Sequence, residues 1–157
     1  MWLDERLEFA DATALDTAGT DTDLIGDVID LGAAGRDIGQ GQPVYFVVQI
    51  TTAPTSGGSA TIQFSVASDG VAAIATNGNQ TIHFLSDAIA IATLTVGWSS
   101  VWALPMGDTV QGEDTAGYER YLGFQTVTGT AALTAGNVNA FLTLDPAGWN
   151  SYPDATN

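Results

Sequence analysis

The apolar residues of this chain recur at every second position. Val44, Phe46, Val48 and Ile50 fall on one side of an extended segment, with Tyr45, Val47 and Gln49 on the other. Ala60, Ile62, Phe64 and Val66 alternate with Thr61, Gln63 and Ser65, and Val138, Ala140, Leu142 and Leu144 alternate with Asn139, Phe141 and Thr143. Leu122 and Phe124 mark a further short strand. A period of two places one side-chain set on the core face of a sheet, and a helix cannot use that spacing. Gly, Pro, Ser and Asn punctuate the runs, as in Pro54-Thr55-Ser56-Gly57-Gly58, Asn77-Gly78-Asn79 and Thr134-Ala135-Gly136-Asn137.

Strands are expected near residues 24–31, 43–52, 59–67, 80–85, 89–96, 98–104, 119–128 and 137–145. With no convincing helix, they predict an all-β fold of two packed antiparallel sheets. A jelly roll is preferred and an immunoglobulin-like sandwich comes next. Ala88 to Thr95 suits either a buried strand or a short helix. Residues 105–118 are polar and Gly-rich, and read as a long surface loop. The chain divides into an N-terminal arm or edge strand at 1–23, the sandwich at 24–145 and a tail at 146–157. Trp2, Leu3, Leu7 and Phe9 are too apolar for a disordered tail, so they either pack on a neighbouring protein or pair with the chain's own sheet.

At 157 residues the chain fits one domain with a sizeable core. It has no cysteine, which excludes disulfides and thiolate metal sites. Its first residues carry acids where a signal peptide has positive charge, and no apolar run reaches the ~18 residues of a membrane span. Synthesis and use in aqueous compartments, without a membrane partner, are expected. Eighteen acids against three arginines and no lysine give a formal charge of −15. That field repels phosphate backbones, so nucleic acid is not an expected partner.

Nothing in the pattern assembles catalytic chemistry. The single histidine, His83, alternates with Ile82 and Phe84, which places it on the outer face of its strand with no triad partner in view. The carboxylate pairs Asp21/Asp23, Asp27/Asp30 and Glu113/Asp114 are what eighteen acids produce by chance. Asp21-Thr22-Asp23 and Asp108 to Asp114 could supply oxygen ligands for calcium, yet neither has the order of an EF-hand loop. The glycines of Gly32 to Gly41 lead into a strand and lack the Lys-Ser/Thr of a phosphate loop. Trp98 and Trp102 share a face with Ser100 and Leu104, so they either fill the core or stack on sugar rings. The expectation is a non-enzyme without cofactor or metal, with a carbohydrate-binding or calcium-stabilised adhesion module as the alternative.

Two segments carry a family resemblance. The opening Leu3-Asp4-Glu5-Arg6-Leu7-Glu8-Phe9-Ala10-Asp11-Ala12, and Ile29-Asp30-Leu31-Gly32 with Gly35-Arg36-Asp37-Ile38-Gly39 and Gly41, resemble the head cement, or decoration, proteins of tailed bacteriophages, typified by the cement protein of a Bordetella phage. Arg120-Tyr121-Leu122, Thr128-Gly129 and Leu133-Thr134-Ala135-Gly136 follow in the family's order. Residues 68–118 match in strand rhythm only, and Pro146 to Asn157 has no counterpart. The resemblance implies a structural virion protein, made in the bacterial host cytoplasm. It would bind the outside of an icosahedral head as a homotrimer and clamp major capsid subunits together. Candidate contacts with the shell or between subunits are the arm residues Trp2, Leu3, Leu7 and Phe9, and Arg36 and Asp37 in the Gly-rich loop. Arg120 joins them as one of three cations, and Tyr45, Tyr121 and Phe141 as aromatics out of phase with the core.

Overall fold

A computed structural model of the chain describes residues 5–15, 18–32, 38, 41–105 and 117–147. A 3-10 turn at Glu5–Leu7 precedes nine strands: β1 (Glu8–Ala14), β2 (Thr22–Asp30), β3 (Tyr45–Ser56), β4 (Thr61–Asp69), β5 (Thr81–Leu85), β6 (Ile89–Ala90), β7 (Ser99–Ala103), β8 (Tyr121–Gly129) and β9 (Leu133–Thr143). They form two antiparallel sheets, ordered β1-β9-β3-β7 and β2-β8-β4-β5. β5 and β6 lie end to end along β4, at Ser65–Ser68 and Thr61–Ile62. The first strand pairs with the last and the second with the next to last, with β3 beside β9 and β4 beside β8. This nested order is that of a jelly roll, as the alternation led one to expect.

The core lies between the sheets and is built by the residues whose period marked them. Phe46, Val48 and Ile50 meet Ile62, Phe64 and Val66 there, with Leu122, Phe124, Val138, Ala140 and Leu142. Phe46 is fully buried, and its ring packs within about 6 Å of Phe9, Phe84, Trp102 and Phe124. Phe64 packs similarly on Trp98, Trp102 and Phe124. Burying one such ring is worth roughly 1.5–3 kcal/mol, and each offset or edge-on pair adds about 0.5–1.5 kcal/mol. Leu144, expected to continue the inward set of β9, lies just past the strand end and is exposed.

The N-terminal segment is part of this sandwich. β1 runs along β9 with Glu8 opposite Phe141 and Ala14 opposite Asn137. Phe9 is 1% exposed and meets Phe46 edge-on, so it is core of its own chain and is not part of a free arm. Two register shifts interrupt the ladder, and Ala12 takes a positive φ of 44° within the second, between Ala10 and Thr13. The side chains of Asn137 and Asn139 bond the carbonyl and amide of Ala12, which satisfies the backbone where pairing lapses. β2 crosses next to β1 and bulges between Ile25 and Val28. Gly26, in that bulge with φ +72°, lies so close to the Phe9 carbonyl oxygen that a Cβ would fall on it. The ambiguous stretch Ala88 to Thr95 resolves into the short β6 and a 3-10 turn at Ile91–Thr93, with Leu94 buried beneath it.

Candidate functional site: the two flanks of the sandwich

β1 and β2 are the edge strands of their sheets on one flank; β5 with β6, and β7, are the edges on the other. Phe84 of β5 and Trp102 of β7 touch at 5.0 Å, so these two edges face each other across the core. The flanks differ in charge. On the first, β1 and β2 carry Glu8, Asp11, Asp23, Asp27 and Asp30, with Arg6, Glu8, Asp27 and Asp30 lining a polar cleft.

Asp30 and Arg120 organise this flank. Arg120 donates from Nε to Asp30 Oδ1 at 3.0 Å and from its terminal nitrogen to Oδ2 at 2.9 Å. The Gly32 N–H adds a bond to Oδ1 at 2.8 Å, and the Leu31 N–H bonds the Arg120 carbonyl at 2.8 Å. The guanidinium also sits 4.9 Å over the Tyr121 ring, which lies opposite Asp30 in the β2–β8 ladder. The two Arg120 bonds and the glycine N–H hold the Asp30 carboxyl down at about 2, and the carboxylate pushes the Arg120 pKa up. Arg120 is therefore engaged within its own chain, fixing the point where the Gly-rich loop leaves β2. Pairing across 90 positions of sequence gave no local signal of it.

A second cluster surrounds His83, which is half-buried and not on an open outer face. Its ring stacks on Tyr118 at a centroid distance of 4.0 Å. The buried Ser68 hydroxyl accepts the Glu119 N–H at 3.0 Å and shares a hydrogen bond of 2.7 Å with His83 Nε2. Burial lowers the His83 pKa, and the Glu119 carboxylate partly opposes that. Tyr118 was expected in a surface loop but is 1% exposed, and its hydroxyl donates to the Pro105 carbonyl at 2.7 Å. Burial pushes this phenol up to about 12. The serine has no exposed surface and the carboxylate of Glu119 accepts from Thr81, so the cluster braces β4, β5 and the strand entry at 118–121.

The sequence candidates scatter over this frame. Trp2, Leu3, Arg36 and Asp37 lie outside the described residues. Leu7 is exposed at the end of the 3-10 turn, whereas Phe9 is core. Tyr45 and Tyr121 are half-buried at strand starts in different sheets, and only Arg120 and Tyr121 come together. Phe141, expected on an outward interface, is 2% exposed in the single chain. It sits on the central strand β9, hemmed by Glu8 on one side and the buried Val47 on the other. The Trp98 and Trp102 rings are half-buried against Phe64, Phe46 and Phe84, so core contacts occupy them. Among the described residues, no three acidic or histidine side chains converge as a metal site.

What the chain offers is a jelly-roll sandwich with two chemically unlike flanks, the build of a protein that works through its surfaces. The family model Bbp16 matches residues 9–142, from β1 to the end of β9. The chain belongs to the Bbp16 family, a Bordetella phage protein family, and is a phage structural protein. The comparison with curated proteins returns no match.

Proposed function

We propose that the chain is a capsid cement protein. It binds the outer surface of an icosahedral phage head as a homotrimer and bridges neighbouring major capsid subunits, with no enzymatic step, no cofactor and neither nucleic acid nor membrane as partner. The family match over the whole jelly roll carries this reading. The two flanks support it, since a cement needs one surface for its own copies and another for the shell. Contacts that exist only on the assembled head stabilise that head by mass action, as any ligand of the native state does. A filled head, pressed outward by its DNA, would have to break them before it ruptured.

The test is co-sedimentation of the purified chain with heads that lack it. Saturation at a fixed ratio to the major capsid protein, by a species three times the 16.2 kDa of one chain, is the expected result. Binding without saturation, or none at any salt concentration, would count against a cement.

A further inference from the structure

Between Asp37 and Asp108 the sequence holds only two formally charged residues, Asp69 and Asp87. The fold sends much of that stretch to one side. Among the described residues, β5, β6, the Ile91–Thr93 turn and β7 carry one charge of their own, the exposed Asp87, and the Glu119 carboxylate meets them only at Thr81, the first residue of β5. It also holds Ile82, Leu85, Val96 and Val101, four of the seven large hydrophobic side chains exposed among the described residues. Val96 is the most open, at 67%. Beside the turn, Pro54, Gly58, Ala60, Ala90 and Ile91 line an uncharged groove.

The edges differ as well. β1 is broken by two register shifts and carries Glu8 and Asp11; β2 is broken at Gly26 and carries three acids. Bulges and charges of this kind prevent an edge from pairing with another chain. β7 has neither, and no proline: it pairs with β3 over five residues in unbroken register, and among the described residues no strand pairs with its other edge.

We propose that copies of this chain associate with one another through the β5–β7 flank, an inference that rests on the self-assembling reading above. A formal charge of −15 makes two copies repel wherever their acidic flanks approach. Meeting through the neutral flank keeps the acids of β1 and β2 apart and removes the exposed valines, Ile82 and Leu85 from water. A partner with a basic surface would be drawn to the other flank, which is why a second copy is the occupant that fits here. Salt should leave this association intact or tighten it, because screening weakens only the residual repulsion.

The experiment measures solution mass by light scattering for the full chain, the double variant Val96→Glu/Val101→Glu, and Val71→Glu, an exposed apolar site in the β4–β5 connection, outside the elements that make this flank. The full chain and V71E are expected at three times 16.2 kDa, and V96E/V101E at one chain, with unchanged circular dichroism. A V96E/V101E protein that keeps the threefold mass overturns the inference while leaving self-assembly standing. A full chain that stays at 16.2 kDa at every concentration overturns both. As the chain has no cysteine, a nitroxide on Ser99→Cys gives a second readout should V96E/V101E misfold. Spin–spin broadening between copies is expected there and not on Val71→Cys; its absence in the threefold species also overturns the inference.

Discussion

Replacing Phe9 with alanine separates an N-terminal arm from an N-terminal strand. In an arm that folds only on a neighbour, the ring would be solvated in the isolated chain, and its loss would leave stability unchanged. Here the ring is 1% exposed, meets Phe46 at 6.1 Å, and lies where β1 crosses beside Gly26 of β2. Truncating a buried Phe to Ala removes its transfer energy and leaves a cavity, about 3–5 kcal/mol together. The upper half of that range is favoured because strands hold the site on both sides and restrict its collapse. For a domain of this size the loss lowers the melting temperature by on the order of 10 °C. The assay is urea unfolding followed by circular dichroism, repeated at several protein concentrations so that assembly does not contribute. A loss below about 1 kcal/mol, as expected of a solvated side chain, would refute the packing of β1 described above.

Three further outcomes follow from the same contacts. Gly26→Ala forces a Cβ onto the Phe9 carbonyl at a positive φ, and should destabilise by more than the ~1 kcal/mol of an ordinary glycine substitution; a neutral result in thermal unfolding would contradict the close approach of β1 and β2. The Asp30 carboxyl, followed by NMR, should titrate at about 2 and return toward 3.8 in Arg120→Ala; since its folded value is depressed, its contribution to stability is present above 3.8 and lost as pH falls through about 2. His83 is held neutral by burial beside Ser68 and Tyr118 despite the Glu119 carboxylate, so its folded pKa is also depressed. Its contribution is present above 6.5 and lost as pH falls through the folded value, and His83→Gln should flatten the unfolding midpoint in that window. An unchanged slope in the variant would show that the imidazole is solvated.

The central strands were legible because their alternation is unbroken. Phe46 and Val48, or Ile62 and Phe64, can occupy only one face; the number and spacing of such runs favoured a jelly roll over an immunoglobulin-like sandwich, and the strand order itself came from the fold. β1 was harder to read, because its bulges shift the period between Glu8 and Thr13 and because five of its seven residues are alanine or acid. His83 was placed outside by a phase that holds at Phe84. The register shift between Val66 and Ala67 leaves Ile82 exposed and lets Tyr118 cover the imidazole from a stretch with no strand pattern. Phe141 shows a related limit: alternation assigns a face but not whether that face is covered, and on the central strand β9 both faces are buried at this point. The Asp30–Arg120 pair emerges only when the fold brings segments 90 positions apart together, whereas the charge-poor stretch between Asp37 and Asp108 is visible in the sequence and only its placement along one flank is not.

The most direct test of the cement assignment is the temperature at which phage heads rupture, followed by release of DNA to an intercalating dye, with heads lacking the chain compared before and after adding it back. Restoration of a higher rupture temperature, saturating at a fixed ratio to the major capsid protein, is the predicted result. Heads that rupture at the same temperature with and without the bound chain would contradict a cementing role, even if the chain proved to be a stable component of the virion.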